Sequence, residues 1–522
     1  MKKLCSRGLA ALLALLLLAA CGAPAGESPS SSQSAPEGEA PVPAEEAGYE
    51  LYSLYRDGTD YFFDGEGNLL APEDAYTVLR DLATGEEKYL LYTRTEDTGE
   101  DDEWGDPVTV EYSRLCGLDG SVIQDWEPMA YDSAMGGLVI RREPRGFYEI
   151  IMPGTEVEAA LWDTASGEAV VEGVDSLQSL GNGHFLALDP SGLALGVLDG
   201  EGNILSGFPA PGDYYYPTTE DGWILGNQRD PYGGDYETDY PDQLMDENFD
   251  VLLEGQSINI GFIGLRGPFL LIDGEDGTTR EVRSLEDFSL LYSWDESTDD
   301  TLEYFDGELM ILRTGERGSW QYALTTPEGE VVAGDFDQLT AEDDMSMDAS
   351  GPAQTFVGRK GDTILRLDRE GNTLAQAEFP GLDSIYPLGD GYTSYTLAAP
   401  EADSGETSYF EISSFGMPTG MLDPALSVVI PAEKYDNVYR LSQWDGSRST
   451  DLDLFQCSRE VNGSYRMDIV DTSGRVLLDS LTSTSMVQDG KLAVIRGFFM
   501  GLMDLSGNWI SRYSIYDGLN DE

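Results

Sequence analysis

The chain has 522 residues, with 97 acidic against 30 basic side chains and a formal net charge of −67. A field of that sign repels nucleic acid and anionic lipid, and it favours cations, cationic peptides and solubility, so nucleic-acid binding is excluded. One histidine and four cysteines, with no Cys-x-x-Cys, exclude a zinc module; 60 glycines and 10% aromatic residues, with few stretches of helical period, point to short strands and frequent turns.

At the start of the chain, Lys2, Lys3 and Arg7 precede an apolar run from Leu9 to Leu18. That run is too short for a membrane span of about 20 residues and has the layout of a cleaved export signal. Leu18-Ala19-Ala20-Cys21 resembles the lipobox of bacterial lipoproteins. The resemblance implies a signal peptide over residues 1–20, lipid attachment at Cys21, and an extracellular, membrane-anchored address on the outer face of the cell membrane. Several acyl chains on one residue make a stable anchor. Residues 21–47 are mostly Ser, Pro, Ala, Glu and Gly without an aromatic side chain. Such a segment cannot bury enough apolar surface to offset its ordering entropy, which predicts a disordered tether. Of the cysteines, Cys5 lies in the signal and Cys21 is the anchor. Cys116 and Cys457 remain, compatible with one bridge or with two buried free thiols.

Along residues 48–522 one turn recurs. Asp64-Gly-Glu-Gly-Asn-Leu-Leu70, Asp199-Gly-Glu-Gly-Asn-Ile-Leu205 and Asp368-Arg-Glu-Gly-Asn-Thr-Leu374 are near copies. Asp471-Thr-Ser-Gly-Arg-Val-Leu477 and Asp504-Leu-Ser-Gly-Asn-Trp-Ile510 are looser versions. The Asp accepts a bond from the backbone two residues on, and the Gly takes the left-handed conformation that closes a hairpin. Further turns sit near Asp119, Asp163, Asp246, Asp273 and Glu328, and the gap from Asp368 to Asp471 has room for two units. Val174-Asp-Ser-Leu-Gln-Ser-Leu-Gly-Asn-Gly-His184 matches Leu382-Asp-Ser-Ile-Tyr-Pro-Leu-Gly-Asp-Gly-Tyr392. Units of three or four antiparallel strands cannot bury both faces alone, so they stack. This predicts an all-β chain built as a β-propeller of seven or eight blades, with Asp246 and Asp273 sharing a blade. An open β-solenoid or two smaller propellers are the alternatives. The chain opens and closes part-way through a unit, which predicts that its ends pair in one shared blade.

The pattern resembles bacterial β-propeller and WG-repeat proteins. The resemblance rests on Gly490-Lys-Leu-Ala-Val-Ile-Arg-Gly-Phe-Phe-Met-Gly-Leu-Met-Asp-Leu-Ser-Gly-Asn-Trp-Ile510 and on Val429-Ile-Pro-Ala-Glu-Lys-Tyr-Asp436, which looks like that family's linking segment. Met500-Gly501 stands where the family has Trp-Gly. Asp81-Leu-Ala-Thr-Gly85 and Asp163-Thr-Ala-Ser-Gly167 look more like blade hairpins of other propellers.

Three places carry candidate chemistry. Asp64, Asp199 and Asp368 set oxygen side chains at alternate positions, as a calcium loop does, but lack its Gly at the sixth position and Glu at the twelfth; hairpin turns account for them without metal. The stretch from Asp213 to Pro241 holds Tyr214, Tyr215, Tyr216, Trp223, Tyr232, Tyr236 and Tyr240 among Pro, Gly and carboxylates. These rings are the candidate ligand-binding residues, able to stack on sugars or grip a cationic peptide, or else to pack on the propeller flank. His184 is the only histidine and has no Gly-x-Ser-x-Gly elbow beside it, so it reads as a turn residue and no catalytic residue is assigned. Together these features predict a monomeric, non-catalytic binding module without cofactor, taking a surface protein, peptide or glycan. A carbohydrate-active enzyme using an Asp/Glu pair, or an envelope assembly scaffold, are the alternatives.

Overall fold

The computed structural model describes residues 51–515, apart from 57–58, 72–73, 102–106, 146–156, 221, 231–239, 261–263, 275–277, 296–299, 317–318, 344–350, 399–416 and 445–448. The signal, Cys21 and the tether lie outside the described residues, as do Tyr232 and Tyr236.

Every named element is a β-strand, and the strands form eight four-stranded sheets, one three-stranded sheet and one seven-stranded sheet. Within each sheet the strands follow one another in sequence order and pair antiparallel, so each is a simple meander. The seven-stranded sheet is two such meanders in one. Its strand Val476–Thr484 pairs through Leu478 with the unit before it and through Ser483 and Thr484 with the unit after it. A backbone turn at Ser480, with φ of 58°, marks the hand-over.

Counted this way there are eleven units among the described residues. Unit 1 is 51–70, unit 2 is 76–127, unit 3 is 130–172, unit 4 is 176–207, unit 5 is 215–255 and unit 6 is 257–295. Unit 7 is 301–336, unit 8 is 338–378, unit 9 is 382–435, unit 10 is 437–480 and unit 11 is 481–514. The expected seven or eight is therefore too few. Asp246 turns the third strand of unit 5 into the fourth, whereas Asp273 ends the second strand of unit 6, so the two do not share a unit. Ser284 and Asp423 supply further third turns, at Ser284–Ser289 and Asp423–Ser427.

Third strands read as continuous apolar runs, as in Ala159–Asp163 and Phe499–Asp504, because neighbours cover both of their faces. Fourth strands such as Glu168–Glu172 are mostly exposed and carry charges, which blunts an open sheet edge. Ten apolar clusters each straddle two neighbouring units. They run pairwise from units 2 and 3 to units 10 and 11, and then from unit 11 to unit 1. One stacked array results, with the packing of a β-propeller, rather than two separate cores.

The first and last units of the chain meet, but not in a shared sheet. Unit 11 already has its own fourth strand, Tyr513–Ser514, so unit 1 stacks against it as a neighbour. The Tyr513 hydroxyl accepts from Leu69 N–H at 3.0 Å and donates to the Gly67 carbonyl at 3.1 Å, while the Tyr52 hydroxyl donates to the Gln488 carbonyl at 3.0 Å. Gly501, the glycine of the WG-like stretch, sits where a Cβ would come within 2.3 Å of the Ser511 carbonyl oxygen. Gly196 and Gly420 stand likewise three residues before a turn Asp, each with a fourth-strand carbonyl too close for a side chain. Cys116 and Cys457 lie in units 2 and 10, both buried and both free thiols. Burial pushes both thiols above the usual cysteine range.

Candidate functional site

A four-stranded meander sends its first and third turns to one side, and its second turn and its link to the next unit to the other. The stack therefore has two different faces, here called the turn face and the loop face.

On the turn face the Asp carboxylates of the repeated turns are consumed by their own turns. Asp199 Oδ1 accepts from the Glu201 and Asn203 amides at 3.0 and 2.8 Å, and Oδ2 accepts from Asn203 Nδ2 at 2.8 Å. Asp64, Asp368 and Asp504 make the same set with Asn68, Asn372 and Asn508. The Asn203 side-chain bond, opposed by slight burial and helped by the backbone amides, holds the Asp199 carboxyl below the usual range. Among the described residues there is no group of three or more His, Cys, Asp or Glu side chains spaced to hold a metal ion. His184 also lies on this face, its Nδ1 at 2.6 Å from Glu247 Oε2 on the next unit's turn.

Buried carboxylates on the same face pin units together. Asp306 accepts from the Tyr304 hydroxyl at 2.8 Å, from the Glu308 and Leu309 amides at 3.0 and 2.8 Å, and from Arg369 of the next unit at 2.6 Å. Burial works to raise this carboxyl, but Arg369 and the amides outweigh it and hold it below the usual range. Glu342 and Asp343 are pushed up by burial, and Glu342 is sealed against Arg366 and Thr355.

The loop face carries the long connections. The strands Glu87–Asp101 and Pro107–Gly117 form its longest hairpin, and the second connections of units 3, 5 and 9 span 143–158, 228–241 and 398–418. Of the predicted tyrosines, Tyr214 is a correction. It is 4% exposed, stacks on Phe249 at 6.2 Å, and donates to Gln243 Oε1, so it belongs to the core and cannot meet a ligand. Tyr215 and Tyr216 open the first strand of unit 5 on the loop face, and the Tyr216 ring is 53% exposed. The Tyr240 carbonyl accepts from Asn227, the register partner of Tyr215, which brings these two positions together. Trp223 lies at the opposite end of the same hairpin, edge-on to Phe288, apart from the tyrosines.

The sequence reading missed a second loop-face feature. A recess of about 450 Å³ opens between units 10 and 11, lined by Arg466, Ser480, Thr482, Arg496, Gly497, Phe499 and Trp509. The hand-over at Ser480 creates it, since one strand leaves the first unit's sheet and enters the second's. Arg496 is held by Asp479. Arg512 lies 4.5 Å over the Phe499 ring, and Arg466 reaches only the Tyr465 carbonyl at 3.4 Å. A larger recess of about 620 Å³ lies towards the turn face between units 8 and 9, lined by Thr355, Arg366, Leu374, Ala375, Gln376, Pro424 and Ala425.

No protein-family model matches the chain, and no curated protein matches it. Among solved structures, BamB from Moraxella catarrhalis is similar at 10% identity and a TM-score of 0.22, covering 62% of this chain and 96% of that one. Hsv2p of Kluyveromyces lactis is similar at 9% identity and a TM-score of 0.22, covering 52% and 90%. Hydrazine synthase of Kuenenia stuttgartiensis is similar at 11% identity and a TM-score of 0.25, covering 55% and 94%. Likenesses of this size transfer no function, and the fold rests on the chain's own strand order.

Proposed function

We propose that this chain is a lipid-anchored binding module on the outer face of a bacterial membrane, and that it meets its ligand through the loop face. The observation that carries the reading is the asymmetry between faces. The Asp carboxylates of the repeated turns are satisfied within the fold, while the loop face gathers most of the long connections together with arginines and exposed rings. Loops on a rigid scaffold are where binding residues concentrate. The Leu18–Cys21 segment supports the anchor, and the tether supplies reach.

The test uses the full chain in bacterial cells, with a photo-crosslinking amino acid placed at Phe498 on the loop face or at Ser506 on the turn face. Adducts with an envelope component should form from Phe498 and not from Ser506. Equal adducts from both positions, or none from Phe498, overturn the reading. In the same cells Cys21→Ser should abolish fatty-acid labelling and release the chain from the membrane fraction.

A further inference from the structure

The recess between units 10 and 11 is unusual for the charge it carries. With 97 acidic side chains against 30 basic ones, an arginine in this protein is surrounded by available carboxylates. Most described arginines take one, as Arg141, Arg313, Arg369 and Arg440 do. Arg466, which lines this recess, makes no ion pair among the described residues, and neither does Arg512, which lies over the Phe499 ring of its lining. Arg496 completes the group from the opposite wall, with one carboxylate partner.

The guanidinium groups of Arg466 and Arg496 line the concavity, and that of Arg512 lies over the Phe499 ring of its lining; such planar donor forks suit a carboxylate. The same lining holds the Trp509 ring, which offers flat apolar area, the Phe499 ring under Arg512, the Ser480 hydroxyl, which can donate and accept, and the Thr482 hydroxyl, which donates to the Ile495 carbonyl and can still accept. Cations beside flat rings beside hydroxyl groups fit a molecule with one acid group, one apolar ring face and several hydroxyls. We infer that the recess between units 10 and 11 binds a sugar acid, its carboxylate held by Arg466 and Arg496, with Arg512 over Phe499 adding charge, and its ring against Trp509.

The size of the protein's field decides how much charge the ligand carries. Screening confines each surface charge to about 8 Å at physiological ionic strength, so a single carboxylate held among the arginines feels mainly them. A longer run of acid groups would extend past the arginines into the acidic surface and be repelled. The ligand is accordingly one acidic residue, either free or at the end of a glycan.

This inference rests on the proposal that the loop face binds ligand, and its test is separable from that one. Binding of galacturonic acid, its uncharged methyl ester and acetate would be measured by calorimetry on the full chain in detergent. Galacturonic acid should bind at least tenfold more tightly than either the ester, which lacks the charge, or acetate, which lacks the ring. The pair R466Q/R512Q should weaken galacturonic acid at least tenfold with an unchanged melting temperature, and R512Q alone should weaken it less. Tighter binding of a disaccharide made of one galacturonic acid on one neutral sugar assigns the end of a glycan as the source, equal binding assigns the free sugar acid, and tighter binding of trigalacturonate overturns the single-acid inference. If galacturonic acid binds no better than the ester or acetate, or if the variants bind as the parent does, the inference falls. Crosslinking from Phe498 would then still leave the loop face as a binding surface for something else.

Discussion

The two faces of this stack are built from the same strands but dispose of their polar groups in opposite ways. On the turn face, each Asp–Asn turn closes on itself: amides satisfy one carboxylate oxygen and the Asn side chain satisfies the other. On the loop face, second connections vary from the two residues Gly497-Phe498 to the long spans of units 3, 5 and 9, and arginines such as Arg466 and Arg512 have no carboxylate among the described residues. The difference teaches where to look in such a molecule. A repeated polar motif here is structural because it is self-sufficient, and the polar groups left over are the ones available for a ligand.

The comparison would break if the turn face did not in fact carry stability. Its strongest case is Asp306, whose side chain is fully buried and takes four donors from two units. Asp306→Ala strands a guanidinium, a tyrosine hydroxyl and two amides, and breaking a buried pair costs about 3–5 kcal/mol. Chemical denaturation of the full chain should show a loss of that order. The carboxyl is held below its ordinary value in the fold, so its stabilising contribution is complete above the unfolded value, about 3.9. It is lost as pH falls through the lower folded value. The acid limb of the stability profile should therefore flatten in Asp306→Ala, and an unchanged limb would show that this latch bears no load.

A smaller effect is expected where sheets rather than turns set the geometry. Gly501→Ala places a methyl group 2.3 Å from the Ser511 carbonyl oxygen, which must move. Overpacking of this kind costs about 1–3 kcal/mol. Because unit 11 seats unit 1 through Tyr513, two residues beyond Ser511, the strain should also loosen the contact between the ends. Faster hydrogen exchange at Leu69, whose amide donates to Tyr513, would report it. Exchange at Leu69 equal to the parent's would mean that the ends hold independently of Gly501.

These positions also show what was legible in the sequence. The Asp turns were readable because a hairpin dictates its residues locally: Asp accepts, Gly closes, and Asn caps within five positions. The unit boundaries were less so, since Asp246 and Asp273 look alike in sequence yet lie on different connections. Their spacing alone does not say whether an Asp ends a second or a third strand. A glycine three residues before the Asp, as at Gly196, Gly420 and Gly501, was a usable sign of the third strand. Tyr214 was misleading because a tyrosine in a polar stretch looks exposed, whereas packing on Phe249 buried it. The arginine recess was not readable at all. It depends on one strand serving two units, which brings Arg466 and Arg496 to one recess from separate strands.

The mildest change sharpens the comparison most, because it asks whether the repeated turns do anything beyond turning. Asp199→Ala removes acceptors for two amides and one Asn side chain on an accessible turn, where water can replace them, so a loss of about 1 kcal/mol is expected. With both carboxylate oxygens already taken, a calcium ion entering this turn would have to displace Asn203 and the backbone donors. A bound ion at 100 times its dissociation constant would add about 2.7 kcal/mol. Calcium and magnesium should instead raise the melting temperature slightly and equally, by screening a chain of charge −67. A rise specific to calcium and lost in Asp199→Asn would mean that the Asn side chain swings aside and that the turn face, too, binds a ligand. The self-sufficiency that separates the two faces would then be a property of the metal-free state alone.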